Sequence, residues 1–313
     1  MRRAGRSRPQ SDALDEAIKK YFLVIPSDKS IMAPSLQTDP ATPDCPAPIP
    51  SLETIPNSIG RSVMRCVHYF QARVGNRFAG QVRFLSRYIP AEAVVFDVGG
   101  NLGRFSRSLA LRQEGRGMIY CFEPLPYNHS LARKALRRFK NVKVFSTALS
   151  AESGTTSFFV PVKKTSKRIG IAYGHMGHLN CEKYFAAADD RDVYQVNVPT
   201  ETLDRVMAQE RLGRLDFLKV DVEGAEGLVF RGGLDSIARF KPAIYCEIAP
   251  GFPERVGLTA PTTIAPLLGL GYHMFIITAG DKLERCHECL PGLENYLFLH
   301  PENPHTMLPV AGR

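Results

Sequence analysis

Nowhere in its 313 residues does the chain hold an apolar run long enough to cross a bilayer. Near the start, Tyr21-Phe22-Leu23-Val24-Ile25 is far too short for a span or a signal-peptide core, so Arg2 and Arg3 lack the apolar segment that an export signal needs. The seven cysteines, an odd count, have no regular spacing, and Cys121 and Cys246 fall in expected buried strands. That argues against a disulfide scaffold and points to a reducing cytoplasm. One Cys-x-x-Cys pair occurs, Cys286-His287-Glu288-Cys289, with no second pair to complete a zinc site beyond Cys181 or a histidine. A surface turn before Pro291 is the simpler reading, and no metal site is assigned. The dinucleotide fingerprint G-x-G-x-x-G is missing. So are Asp-Pro-Pro-Tyr, Asn-Pro-Pro-Tyr and any stripe of basic and aromatic residues, which leaves a nucleic-acid partner without its usual signals.

What the chain does have is an organising stretch. Ala93-Val94-Val95-Phe96-Asp97-Val98 is a β-branched apolar run that breaks into Gly99-Gly100-Asn101-Leu102-Gly103 and then into the helical pattern Arg104 to Leu111. Strand, tight turn and helix in that order place backbone N–H groups and room for a ligand beyond the strand's carboxyl end. The next strand, Met118 to Phe122, leads into Glu123, whose carboxylate suits the two hydroxyls of a ribose. Asp97 suits a cationic group, directly or through water. Carboxylate, glycine turn and second carboxylate fit S-adenosylmethionine better than a nicotinamide.

Further blocks follow in order: Phe122-Glu123-Pro124, Thr202-Leu203-Asp204 and Leu218-Lys219-Val220-Asp221-Val222-Glu223-Gly224-Ala225-Glu226. With Phe96 to Gly103 they make residues 90 to 250 resemble the FkbM family of S-adenosylmethionine-dependent methyltransferases, and Lys-x-Asp-x-Glu-Gly-x-Glu is the most specific block. Gly100 stands where Ala is commoner in that family, a departure expected to be harmless. The resemblance implies a Rossmann-like class I methyltransferase fold: a seven-stranded, mostly parallel sheet with helices on both faces and a last strand inserted antiparallel. The expected cofactor residues are Asp97, Gly99, Gly100, Asn101, Gly103, Glu123 and Pro124, with Ala148 and Leu149 near adenine. The implied activity is O-methylation of a hydroxyl on a small molecule or saccharide. A noncatalytic binding module and a nucleic-acid methyltransferase are the competing readings.

At 44% hydrophobic, the chain can bury one substantial core. Net charge is +9, with Arg2, Arg3, Arg6 and Arg8 crowded at the start. Residues 1–58, interrupted by seven prolines from Pro34 to Pro56, read as a disordered basic and proline-rich arm. Residues 59–90 carry a helical stripe from Val63 to Leu85, broken near Gly75 or Gly80, and read as a helical cap. The methyltransferase domain is expected over 91–305, with a tail at 306–313. The basic stretch Arg133 to Lys140 has helical periodicity and reads as a solvated helix face.

The chemistry needs alignment of acceptor and methyl group and, for an alcohol, a proton acceptor. Asp221 and Glu223 are the candidate catalytic carboxylates, with Glu226 and Glu247 nearby. They also allow a divalent cation such as Mg2+ that orients a diol. The competing account is helix capping, with Asp221 as cap and the other acids compensating the helix dipole. Between Pro161 and Asp192 periodicity is lost. There Lys163-Lys164-Thr165-Ser166-Lys167-Arg168 precedes Gly170 to His178, so His175 and His178 are further catalytic candidates on a glycine-hinged lid over the acceptor. The sequence assigns neither the acceptor nor an oligomeric state.

Overall fold

The computed structural model describes the backbone of residues 59–163, 168–169, 175–176, 191–303 and 305, all within one compact unit, Pro48–Arg313. Its side chains are described for 65–160, 194–303 and 305. The expected arm at 1–58, the tail at 306–313, His178 and Cys181 lie outside the described residues.

Among the described residues the first element is α1 (Ile59–Val74), followed by a turn at Gly75 and α2 (Ala79–Leu85). Alternating strands and helices follow: β1 (Val94–Val98), α3 (Arg104–Gln113), β2 (Met118–Phe122), α4 (Pro126–Leu136), β3 (Val142–Phe145) and β4 (Ala148–Leu149). Pro126 opens α4, where its missing N–H costs nothing. Next come β5 (Gly154–Lys163), β6 (Arg168–Ile169), β7 (His175–Met176), β8 (Arg191–Glu201) and α5 (Leu203–Gln209), the last capped by the Thr202 hydroxyl accepting from Arg205 N–H at 3.1 Å. The remainder is β9 (Phe217–Val220), α6 (Glu226–Arg231), α7 (Leu234–Phe240), β10 (Ala243–Glu247), α8 (Ala260–Gly269), β11 (His273–Thr278), β12 (Lys282–Cys286) and β13 (Asn295–Leu299).

The main sheet runs β12-β11-β13-β10-β9-β1-β2-β3. Strands β3, β2, β1, β9 and β10 are parallel, and β13 enters antiparallel between β10 and β11. This is the expected methyltransferase order with one strand more. The sheet has eight strands, not seven, because β12 pairs with β11 at the edge, where only one of its five residues is buried and no apolar alternation marks it. Between 148 and 201, alternation predicts strands over Thr155 to Val160 and Val193 to Val198, and both are present and longer than that. The stretch expected to be irregular from Pro161 to Asp192 is bounded by a long antiparallel pair, β5 with β8, running from Gly154 opposite Thr200 to Lys163 opposite Arg191. With β4, β6 and β7 it makes a second sheet.

Strand alternation sends the two faces of the main sheet into two cores. Phe96, Val98, Phe122, Leu218, Val220 and Ile244 pack against α5 to α8. Val95, Ile119, Phe217, Ala243 and Tyr245 pack against α2 and α3. Asp97 and Lys219 belong to this second face, two residues beyond Val95 and Phe217, and stand directly opposite each other in the parallel register of β1 and β9. Helix α1 lies on α4, where Ala72 meets Leu131 and Ala135, and His68 Nδ1 is 2.9 Å from the Tyr127 hydroxyl.

Candidate functional site

The turn after β1 is shaped by what lies behind it. Gly99 has φ +80°, and a Cβ there would overlap the Asp221 carbonyl oxygen of the neighbouring strand end. Only glycine fits on both counts. A Cβ on Gly100 would instead overlap Cys121 Sγ. The glycine and the buried cysteine are therefore complementary, and the departure at Gly100 has a local reason. Gly100→Ala is expected to cost about 1–3 kcal/mol through overpacking, with most of the loss recovered in Gly100→Ala/Cys121→Ala. Thermal melts of the four proteins check this, and additive losses would show that the two sites do not share space.

Glu123, 4% exposed, closes the other side of the turn. Its Oε2 accepts from Asn101 N–H at 2.7 Å and its Oε1 from Leu125 N–H at 2.9 Å, and the Asn128 side chain adds a further bond. Burial pushes its carboxyl up to about 8 despite these bonds. A carboxyl that keeps its proton longer folded than unfolded favours the fold fully below the ordinary carboxyl range, and that contribution is lost as pH rises through about 8. The melting temperature of wild type relative to Glu123→Gln is thus expected to fall between about pH 5 and 9. A constant difference would contradict the buried, proton-holding state.

Beyond the turn, Lys219 Nζ is 3.2 Å from Asp97 Oδ1 and 3.2 Å from Asp221 Oδ2, and it donates to the Gly99 carbonyl at 3.5 Å. Burial alone would push this ammonium down, but the Asp221 and Asp97 carboxylates together hold it above its ordinary value. Asp97 is fully buried, and its Oδ2 accepts from the Ser106 hydroxyl at 2.6 Å. Asp221 is one-third exposed.

The helix that follows does not begin where capping requires. α6 starts at Glu226, its N-cap is Ala225, and no side chain caps it. Asp221 is therefore not an N-cap. Glu226, 1% exposed, does the bonding: its Oε1 accepts from Val222 N–H and Gly224 N–H, each at 3.1 Å, and so ties down the loop in which Glu223 (φ 58°) and Gly224 (φ 112°) turn left-handed. Glu223 is thereby presented to the cleft. Burial and then the Asp221 and Glu247 charges push the Glu223 carboxyl up to about 8; burial and Asp221 push Glu247 up to about 7.

These groups line two adjoining hollows that share Gly99, Asn101 and Glu223. In one, Glu123, Pro124 and Asn128 face Ala148, Leu149 and Phe158. In the other, Gly100, Lys219, Asp221 and Glu247 face Arg77 and Phe78 from the α1–α2 connection. Asp97 and Gly103 lie behind this surface, Asp97 in its ion pair and Gly103 against Leu136. His175 sits in β7 opposite Phe159 of β5, in the second sheet. Leu125 and Asn128 follow the Phe-Glu-Pro block closely enough to have been found from it. Phe78 belongs to the apolar stripe of the expected cap, whereas nothing local marks Arg77 or Phe158 for the cleft, to which packing of α2 and of the second sheet brings them. Among the described residues no three His, Cys, Asp or Glu side chains come close enough to hold a metal ion, so neither Mg2+ nor a site at Cys286 and Cys289 finds support.

Comparison with known proteins adds three kinds of likeness. The methyltransferase FkbM domain matches residues 97–274. Among curated proteins, the AMB antimetabolite synthetase AmbE of Pseudomonas aeruginosa is 32% identical over 186 residues, 49% of this chain and 8% of that one. Methyltransferase sdnD of Sordaria araneosa is 28% identical over 46% of this chain and 61% of its own length. The 2-O-methyltransferase NoeI of Sinorhizobium fredii is 25% identical over 50% and 63%. The chain thus spans less than two-thirds of each of these relatives. The crystal structure of methyltransferase FkbM from Methylobacillus flagellatus superposes with a TM-score of 0.42 at 11% identity, over 76% of this chain and 59% of that one. Since the matched domain takes in more than half of the sequence, from Asp97 of the first strand to Met274 of β11, the chain belongs to the methyltransferase FkbM domain family.

Proposed function

We propose that the protein is an S-adenosylmethionine-dependent O-methyltransferase acting on a hydroxyl of a small molecule or saccharide. The observation that carries this reading is the double hollow across the glycine turn, with Glu123 and an apolar wall at one end and Asp221, Glu223 and Glu247 at the other. The residues present fit the cofactor: Gly99 and Gly100 leave backbone without side chains at the turn, Glu123 offers acceptors for ribose hydroxyls, and Ala148, Leu149 and Phe158 suit a flat ring. Bound there, the cofactor supplies an activated methyl group. Asp97 holds Lys219, which in turn orients Asp221, and Asp221 accepts the proton of the acceptor hydroxyl. Glu223 and Glu247, holding protons near neutral pH, are suited to donate hydrogen bonds to acceptor oxygens. The relative named as a 2-O-methyltransferase supports the oxygen acceptor. His175 and His178 belong to this proposal as parts of a lid over the acceptor.

Glu123→Ala removes the acceptors for both ribose hydroxyls, each hydrogen bond worth about 0.5–1.5 kcal/mol net. Affinity for S-adenosylhomocysteine, read by calorimetry, is expected to fall more than about tenfold. Equal affinity in wild type and variant would remove Glu123 from the site, and tight NADH binding would redirect the reading to a dehydrogenase. His175→Ala and His178→Ala should impair turnover of hydroxylated acceptors while leaving that affinity unchanged; normal turnover would exclude the lid.

A further inference from the structure

The charge of this protein is concentrated on one helix layer. Segments 59–74, 104–113 and 126–140, which are α1, α3 and α4 with its exit, carry three, three and five Arg or Lys residues and no Asp or Glu. Those eleven cations exceed the chain total of +9, so everything else together is net −2. The three helices pack against one another on the same face of the main sheet. Arg65, Arg112, Arg133, Lys134, Arg137, Arg138 and Lys140 are exposed, and among the described residues none of them pairs with a carboxylate. The α1 and α3 ends meet here: Arg107 donates to the Gly75 carbonyl at 3.2 Å, and Arg138 and Arg73 both bear on its charge.

This basic layer also carries unusual apolar exposure. Seven large hydrophobic side chains are exposed among the described residues, and four of them lie here: Val67 (40%), Phe70 (54%), Val74 (51%) and Leu111 (46%). Val67, Phe70 and Val74 recur at intervals of three and four and so share one side of α1. Leu111 stands one turn beyond Arg107, on the side of α3 that reaches the end of α1. A solvated helix face accounts for the cations but not for an apolar stripe among them. Phosphodiester backbones use the cations and have no partner for valine and leucine side chains. An anionic bilayer uses both, headgroup phosphates meeting Arg and Lys while the apolar side chains enter the headgroup boundary.

We propose that the α1–α3–α4 face docks the protein on membranes containing anionic lipids. This is peripheral attachment, since no helix among the described residues is long and apolar enough to cross a membrane. Arg104, at the start of α3, lines the cleft together with Arg77 and Phe78, so the docking face borders the cleft mouth. The inference stands independently of the methyl-transfer reading.

The test is flotation of the full chain with vesicles of phosphatidylcholine alone and with about 25% phosphatidylglycerol, at about 0.1 M and about 0.5 M salt. Binding should require phosphatidylglycerol and weaken with salt. The triple variant Arg133→Ala/Arg137→Ala/Arg138→Ala and the double variant Phe70→Ser/Val74→Ser should each lower partitioning at least about tenfold without changing the melting temperature. A variant that melts lower is replaced by Arg133→Gln/Arg137→Gln or Phe70→Gln. Absence of binding overturns the proposal, as does binding that both variants retain, which would place it on residues outside this face. Tight binding to a duplex RNA that Phe70→Ser/Val74→Ser leaves unchanged, with no vesicle binding, would assign the face to nucleic acid instead.

Discussion

Lys219→Met is expected to destabilise this protein by about 3–5 kcal/mol, the usual cost of removing one partner from a buried ion pair. Lys219 is 3% exposed and Asp97 not at all, and without the ammonium Asp97 keeps, among the described residues, only the Ser106 hydroxyl as a bonding partner. The loss is the price of a stranded carboxylate and not a measure of the pair's net worth. Lys219→Met/Asp97→Asn should accordingly recover a large part of it. Urea denaturation of the three proteins decides the matter, with the slope expected to stay constant while the midpoint moves. A single variant within about 1 kcal/mol of wild type would mean that Asp97 is protonated or hydrated in the fold, and the ion-pair account would fail. The same substitution removes the contact to the Gly99 carbonyl, so weaker binding of S-adenosylhomocysteine should accompany the stability loss.

Asp221→Asn should act the other way, on rate with little effect on stability. Its carboxylate is one-third exposed at the cleft and caps no helix, so an amide of the same shape disturbs little packing. If Asp221 takes the acceptor's proton, turnover should drop by about 10²–10⁴-fold, the range for a positioned general base. Glu223→Gln keeps a hydrogen-bond donor and should cost much less. The contrast with Glu226→Gln is informative, because Glu226 bonds backbone N–H groups of the loop and its replacement should lower the melting point before it touches rate. Labelled methyl transfer to hydroxylated metabolites and glycans, with melting temperatures measured alongside, separates these outcomes. Full turnover in Asp221→Asn would move the base to Glu223.

Local pattern made the strands legible. The runs ending in Asp97 and Glu123 alternate into the two cores that the fold builds, and the glycines between them mark a turn that tolerates no side chain. The pairing across the insertion was not legible for a physical reason. Alternation marks each strand alone, but the ten-residue antiparallel register of β5 with β8 joins segments separated in sequence and leaves no trace in either one. β12 escaped notice because an edge strand that exposes most of its residues has no apolar alternation to show. Capping was an inviting account of the acids after β9, yet the helix starts four residues later than Asp221 requires.

By itself, the sequence determined the five parallel strands of the main sheet, the glycine turn, the two carboxylates at the ends of β1 and β2, and membership of the family through the Lys-x-Asp-x-Glu-Gly-x-Glu block. These are properties of short segments, set by periodicity and by backbone conformation that few residues can adopt. Tertiary structure alone decided what those residues face. The β1–β9 register set Lys219 against Asp97, packing of the α1–α2 connection brought Arg77 and Phe78 to the cleft, and stacking of three helices gathered seven exposed cations from separate segments into one layer. Such relations join residues tens of positions apart, and charge and burial become local facts only after the chain has closed on itself.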